Sequence, residues 1–268
     1  MDKLYTARWA ITEALENGRM ELLDTAWDMI AQAKADHITQ DVLKDIEDVK
    51  ETLDEISKQK PKDELPDLSE KKQIAVAMIV GHTRAAGGAV AAAPISMNEY
   101  TYWSREMYAH QEAFSELGIV SKVFYRDNIG IAGAYREAKK WLNAHVNMVQ
   151  VLIEYHFNAF NKKAFGTETL HSNKRDARGV QERVFAQMIQ DAMVKTYNRT
   201  GRGNRGLKNL ATPGESGFYN LVQVVDRPSI LIEPFFGDNP SEAALAKKHE
   251  RDLPRNIALA VKNFGEIA

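Results

Sequence analysis

Cysteine is absent from all 268 residues of the chain. This absence excludes disulfide bonds, thiolate metal sites and a cysteine nucleophile. A metal ion, if one is bound, must be held by histidine and carboxylate side chains. The search for a metal site is therefore restricted to seven histidines and to the 37 Asp and Glu residues.

An excess of charge of either sign is also lacking. The chain has 35 Lys and Arg residues against 37 acidic ones, so its net charge is −2 and its pI is about 6.4. We therefore do not expect an overall positive potential that would attract nucleic acid or anionic membranes. One local exception is the stretch 195–208, which is interpreted as a flexible basic loop that binds either phosphate groups or substrate carboxylates.

Long apolar runs are missing as well. The apolar run at Ile74–Val80 is far shorter than the roughly 20 residues that a membrane-spanning helix needs. The start of the chain has no continuous apolar stretch of a secretory signal, and charges recur at Arg19, Glu21 and Asp24. We expect a protein that is made soluble in the cytoplasm, without membrane insertion.

Two regions follow one another along the chain. Residues 1–58 carry apolar side chains at helical spacing and predict a helical hairpin or a three-helix unit. Residues 59–72 are polar, are broken by Pro61 and Pro66, and are interpreted as a linker. Residues 73–268 then form one domain. The helical unit either packs only on itself or also binds the wall, a partner or a second copy.

From Ile74 onward, apolar runs typical of strands alternate with helical patterns. Strands are predicted at Ile74–Val80, 119–125, Val149–Tyr155 and Ser229–Glu233. Helices are predicted at 100–117, 131–144 and 180–196, and two more begin at Pro240 and Pro254. This alternation predicts an α/β fold in which a twisted, mostly parallel sheet is flanked by helices on both faces. The N-terminal helical unit precedes it.

Metal-competent side chains stand where predicted strands end. The first strand runs into His82, the third into His156, and the fourth ends at Glu233. Ligands of open α/β sheets bind at these carboxyl ends. Glu99 follows His82 by 17 residues (99 − 82), a loop long enough to return its carboxylate to the same edge.

Two histidines and one carboxylate form a ligand set of catalytic zinc that leaves a position for water. A further carboxylate, not bound to the metal, is then needed to move the proton. Glu233 suits this role, because its apolar neighbours on both sides should raise its pKa. Alternatively, Glu99 is only a residue of a helix N-terminus that Asn98 caps.

Four segments resemble the zinc N-acetylmuramoyl-L-alanine amidases of the cell-separation and phage-endolysin type. They are Ile-Val-Gly-His at 79–82, Asn-Glu at 98–99, Ile-Glu-Tyr-His-Phe-Asn-Ala at 153–159 and Ile-Glu-Pro-Phe-Phe at 232–236. The resemblance covers about residues 73–265. It implies that His82, Glu99 and His156 bind zinc, that Glu233 is catalytic, and that the substrate is the amide bond between N-acetylmuramic acid and L-alanine.

The stretch at 204–208 is similar to a short Arg-Gly motif of that family, and Arg205 is predicted to bind a carboxylate of the muropeptide. Asn158 either forms a local hydrogen bond or touches substrate. Glu154 should face the same side as His156, where it either orients the imidazole or forms a structural salt bridge.

The missing signal favours a phage-type lysin that acts on the bacterial wall after release. Two alternatives remain open at this point. One is a zinc carboxypeptidase-like peptidase, although such enzymes usually place their first two ligands close together in sequence. The other is a wall-binding or virion structural protein with a dead site.

Overall fold

The structure is a computed structural model that describes residues 73–210 and 226–268. The predicted helical unit at 1–58 and the predicted linker at 59–72 lie outside the described residues. No helix within the described ranges is long and apolar enough to cross a membrane.

A six-stranded sheet with the strand order β2-β1-β3-β6-β4-β5 forms the centre of the fold. The strands are β1 Ile74–Val80, β2 Val120–Phe124, β3 Val149–Tyr155, β4 Thr167–Ser172, β5 Asn204–Leu210 and β6 Ser229–Glu233. Strands β2, β1, β3 and β6 run parallel to one another. Strand β4 is antiparallel to β6 and parallel to β5.

Five helices accompany these strands in the described part of the chain, three of them between strands and two after β6. They are α1 Glu99–Glu116, α2 Gly130–Asn143, α3 Ala177–Thr196, α4 Pro240–Lys248 and α5 Asp252–Ile267. The predicted helices therefore exist, and their bounds differ from the predicted ones by three residues or fewer where both ends were predicted.

Strand β1 is apolar along its whole length because helices cover both faces of the sheet. Every residue of β1 is buried, as expected for a parallel strand between two helical layers. On one face, Ala77 packs against Tyr135 and Ala138 of α2. On the other face, Trp103 of α1 lies against Tyr155, with 5.2 Å between the ring centroids.

Helices α3 and α5 complete the second layer. The rings of Phe185 and Phe264 lie 4.9 Å apart, and α5 approaches β1 so closely that a Cβ on Gly265 would stand 2.2 Å from Ile74. The predicted α/β class, with a mostly parallel sheet and helices on both faces, is thus confirmed.

The prediction of four strands was wrong in number, because β4 and β5 were missed. The stretch 195–208 is not a flexible loop: it contains the end of α3, a 3-10 turn at Gly201–Gly203 and the greater part of β5. Both missed strands lie toward the β5 edge of the sheet and are rich in polar residues, so they lack the apolar run that identified β1 and β3.

Candidate active site

The first histidine follows β1 at a point where two strand ends approach each other closely. Gly81 donates its N–H to the carbonyl of Tyr155 at 3.0 Å, and a Cβ at Gly81 would lie 2.6 Å from the His156 ring. His82 itself has a φ of 65°. The chain thus turns sharply after β1 and keeps the imidazole of His82 at the sheet edge.

Glu99 is the first residue of α1, and Asn98 caps the helix by accepting a hydrogen bond from the Thr101 N–H at 2.9 Å. The loop from His82 returns to the sheet edge, where Ala89 and Glu99 pair through a backbone bond of 3.0 Å. The helix-terminal role and the ligand role of Glu99 are therefore compatible.

The carboxylate of Glu99 joins the two histidines. Its Oε1 lies 3.2 Å from Nε2 of His82, and its Oε2 lies 3.1 Å from Nδ1 of His156. The potential ligand atoms of these three residues all lie within 4.8 Å of one another. The structure thus brings together the three residues that the sequence predicts as metal ligands.

Backbone donors fix the Glu99 carboxylate further. Ala89 N–H donates to Oε1 at 3.1 Å and Phe157 N–H donates to Oε2 at 3.2 Å. Burial alone would raise the pKa of Glu99, but its hydrogen bonds to His156 and His82 outweigh burial and lower that pKa to about 2. Glu99 therefore stays a carboxylate at neutral pH.

Glu154 lies beneath His156 on the same face of the sheet and is fully buried. Its Oε1 lies 2.9 Å from Nε2 of His156. It also forms an ion pair with Arg126 and accepts a hydrogen bond from the Tyr135 hydroxyl. Both interpretations of Glu154 therefore hold at once, since the carboxylate contacts the imidazole and is itself salt-bridged.

Glu233 ends β6 in a cleft of about 320 Å³ that His82, Glu99 and His156 also line. Burial raises the pKa of Glu233 to about 7. The charges of Glu168 and Glu99 also raise this pKa, whereas those of His156 and Arg205 lower it. Its Oε2 has no hydrogen-bond partner among the residues that the structure describes. The direction of this shift agrees with the expectation from its apolar sequence neighbours.

Asn158 and Arg205 both donate hydrogen bonds to the carboxylate of Glu168, a residue that the sequence pattern did not single out. Asn158 Nδ2 donates to Glu168 Oε1 at 2.6 Å, and Arg205 Nε donates to Oε2 of the same residue at 2.7 Å. Asn158 lines the cleft, and the Arg205 guanidinium lies 5.0 Å over the Phe236 ring. The pairing of β4 with β6 places Glu168 opposite Glu233, and no local sequence signal indicates this contact.

A mostly parallel sheet with a His-Glu-His cluster and a buried glutamate at its carboxyl edge defines an α/β protein with a metal-competent centre. Residues 76–263 match the family described as N-acetylmuramoyl-L-alanine amidase. The chain belongs to this family of peptidoglycan amidases.

Solved structures share the fold at low sequence identity. Cwp6 from Clostridium difficile is 21% identical, with a TM-score of 0.58 over 72% of this chain and 30% of that protein. The amidase AmiC2 of Nostoc punctiforme is 15% identical, with a TM-score of 0.54 over 73% of this chain and 98% of that one.

The catalytic domain of the CD27L endolysin targeting Clostridia Difficile is 23% identical, with a TM-score of 0.51 over 72% of this chain and 97% of that domain. A comparison with curated proteins finds no significant match.

Proposed function

We propose that the chain is a zinc-dependent N-acetylmuramoyl-L-alanine amidase that cleaves the amide bond between N-acetylmuramic acid and L-alanine in peptidoglycan. One observation carries this proposal: the cluster of His82, Glu99 and His156 shares a cleft with Glu233, a buried glutamate whose Oε2 has no partner in the described part of the chain.

The donor set fits zinc. Two imidazoles and one carboxylate are a ligand combination that zinc enzymes use, and they leave room for a further ligand. His82, Glu99 and His156 would hold the ion, and the low pKa of Glu99 keeps its negative charge available. When bound, zinc supplies a Lewis acid that acidifies water and polarises the scissile carbonyl.

Glu233 would move the proton of the reaction. A carboxyl group with a pKa of about 7 exchanges protons readily near neutral pH. Its carboxylate takes a proton from the attacking water, and the resulting carboxyl group gives that proton to the departing amide nitrogen. The water oxygen becomes part of the new lactyl carboxyl group, and L-alanine leaves with a free amine.

Arg205 and Asn158 are proposed to bind the muropeptide beside the cleft. The Arg205 side chain is 36% exposed, and only its Nε is bound to Glu168. The remaining guanidinium N–H groups can therefore receive a stem-peptide carboxylate in two parallel hydrogen bonds. Asn158 faces the cleft from the end of β3 and can contact the peptide next to the scissile bond.

We further propose a phage-type lysin, which reaches the wall after release from the cytoplasm. The likeness of the fold to the CD27L endolysin domain supports this assignment. In the same proposal, residues 1–58 form a helical unit for wall targeting or for partner binding. Residues 59–72 link it to the amidase domain.

Digestion of purified sacculi tests the function. The zinc-loaded protein should release peptides that begin with L-alanine and should leave intact N-acetylmuramic acid on the glycan, both identified by mass spectrometry. New reducing sugar ends, or release of a C-terminal amino acid as expected of a carboxypeptidase, would refute the amidase assignment. A zinc-loaded protein without any cleavage would support the dead-site alternative.

A further inference from the structure

Two carboxylates face each other across the antiparallel pair of β4 and β6. Glu168 and Glu233 are direct partners in this register, and directly opposed residues of such a pair have Cβ atoms about 4.5–5.5 Å apart. Like charges in this position destabilise a sheet. The repulsion between the two carboxylates must therefore be offset by other groups, and these groups surround Glu168.

Both oxygens of Glu168 are occupied, whereas Oε2 of Glu233 has no partner in the ranges that the structure describes. Asn158 donates to Oε1 of Glu168 at 2.6 Å, and Arg205 donates to Oε2 at 2.7 Å. The Asn158 amide comes from the segment that follows β3 and the Arg205 guanidinium from β5. Glu168 thus connects two side chains that are distant in sequence, next to the proposed base.

The backbone of β5 is shaped to bring Arg205 to Glu168. In the pairing of β4 with β5, Thr167 is opposite Asn204 and Glu168 is opposite Gly206, so that Arg205 is an extra, bulged residue. Gly206 follows with a φ of 72°, a left-handed conformation that glycine adopts at such bulges. A bulge of this kind redirects a side chain, here the guanidinium.

A second glycine leaves space for the stem of the arginine. A Cβ at Gly166 would lie 2.9 Å from Cγ of Arg205 and 2.7 Å from the carbonyl oxygen of Gly203. The Arg205 side chain therefore passes directly over the Gly166 backbone on its way to Glu168. The bulge, the close approach at Gly166 and the ion pair all specify one position for the guanidinium.

We propose that Glu168 is a positioning residue for amide hydrolysis, which holds the Asn158 amide and the Arg205 guanidinium in place beside Glu233 to receive the peptide side of the muropeptide. This inference rests on the proposed function. Glu168 acts through Asn158 and Arg205 and does not itself contact the scissile bond.

The charge of Glu168 has a second consequence at Glu233. After burial, which has the largest effect, the carboxylates of Glu168 and Glu99 raise the pKa of Glu233, whereas His156 and Arg205 lower it. Because Arg205 is paired with Glu168, the negative charge of Glu168 partly offsets the effect of Arg205 on the pKa of Glu233.

The test begins with Glu168→Gln, which keeps the size of the side chain and removes the charge that pairs with Arg205. Zinc content should match that of the wild type, because Glu168 is not one of the proposed ligands. The KM for a soluble muropeptide should rise on the order of 10-fold or more, with a smaller fall in kcat. The variant Arg205→Ala should show a similar rise.

The double variant Glu168→Gln/Arg205→Ala distinguishes positioning from an independent effect. If Glu168 acts through Arg205, the double variant should be little worse than Arg205→Ala alone. Effects that multiply in the double variant would overturn the proposal. If Glu168→Gln does not fold, the KM values of Asn158→Ala and Arg205→Ala are measured instead. Unchanged KM values in both variants would overturn the proposal.

A matched control is available at the buried Glu182, whose two oxygens accept hydrogen bonds from the backbone N–H groups of Ser172 on β4 and Ser229 on β6 at 2.6 and 3.2 Å. Glu182→Gln removes a comparable charge between the same two strands but outside the set of residues that line the cleft. It should lower the melting temperature and leave KM unchanged. An equal rise in KM for this control would reduce the role of Glu168 to general stability and overturn the inference.

The two levels of the proposal fail in different ways. Absence of amide cleavage by the zinc-loaded wild type would refute the proposed function. Normal cleavage by the wild type, together with wild-type kcat and KM in Glu168→Gln, would refute the positioning role alone.

Discussion

Replacement of Glu233 by glutamine should stabilise the metal-free protein at alkaline pH and should sharply reduce the turnover of the zinc-loaded protein. Glutamine matches glutamate in shape, so the end of β6 should be undisturbed. The carboxylate that it removes is buried, and its Oε2 lacks a partner among the described residues. In the folded chain this charge is therefore a cost that a neutral amide avoids.

The size of this cost follows from the pKa of Glu233, which burial raises from its ordinary 4.5 to about 7. A difference of 2.5 units (7 − 4.5) corresponds to about 3 kcal/mol, since each unit is worth about 1.4 kcal/mol. The folded state holds the proton more tightly than the unfolded state. Stability is therefore lost as the pH rises from about 4.5 through about 7, and the full cost applies above this range.

Denaturant unfolding of chelator-treated protein measures this effect. At pH 8, Glu233→Gln should exceed the wild type in free energy of unfolding by up to about 3 kcal/mol, and at pH 4 the two should agree. In the zinc-loaded protein, turnover should fall by about 10²–10⁴-fold, as expected for loss of a general base. Zinc content should remain unchanged.

Glu99→Gln is the matched contrast, because the hydrogen bonds to His156 and His82 lower the pKa of Glu99 to about 2. This carboxylate contributes stability above its unfolded pKa, and the contribution is lost as the pH falls toward about 2. Its replacement should destabilise the metal-free protein at neutral pH and weaken zinc binding. The proposed roles of the two glutamates are wrong if Glu233→Gln releases zinc, keeps near-normal turnover, or destabilises the protein at pH 8.

Three further results are expected. His156→Ala should lose the zinc that the wild type carries at about one ion per chain, and elemental analysis that still finds stoichiometric zinc would remove His156 from the site. Gly88→Ala should weaken zinc binding in a chelator competition, because its Cβ would lie 2.5 Å from the His82 ring at a φ of 80°, and full affinity would contradict the close packing. A fragment that starts near residue 70 should fold and cleave soluble muropeptides, and its failure to fold, seen by circular dichroism, would mean that the N-terminal residues complete the core.

Much of the fold and the shared sheet edge of the His-Glu-His cluster could be predicted from the sequence. Strand β1 is a continuous apolar run, and β3 and β6 each contain three consecutive apolar residues, because helices on both faces of the sheet bury them. Parallel strands end at the same sheet edge, so His82, His156 and Glu233 were expected at one edge of the sheet once the strands were recognised. The pKa of Glu233 was also predictable in direction, since apolar residues flank it in sequence.

Strands β4 and β5 were not predictable in this way. The sequence of β4 is Thr-Glu-Thr-Leu-His-Ser, and β5 begins with Asn-Arg-Gly, so neither has the apolar run that marks a buried strand. Their polar side chains serve hydrogen bonds to other elements, as Thr169 does with Gln190 of α3. Only the pairing of β4 with β6 identifies these stretches as part of the sheet.

The partners of the site residues were decided by tertiary structure alone. Glu168 binds Arg205 across 37 residues of sequence, and His156 binds Glu99 across 57. Local periodicity reports which face of an element is buried, but it does not report which side chains of distant elements meet there. Strand order, register and the bulge at Arg205 determine those contacts, and they arise only when the whole sheet packs.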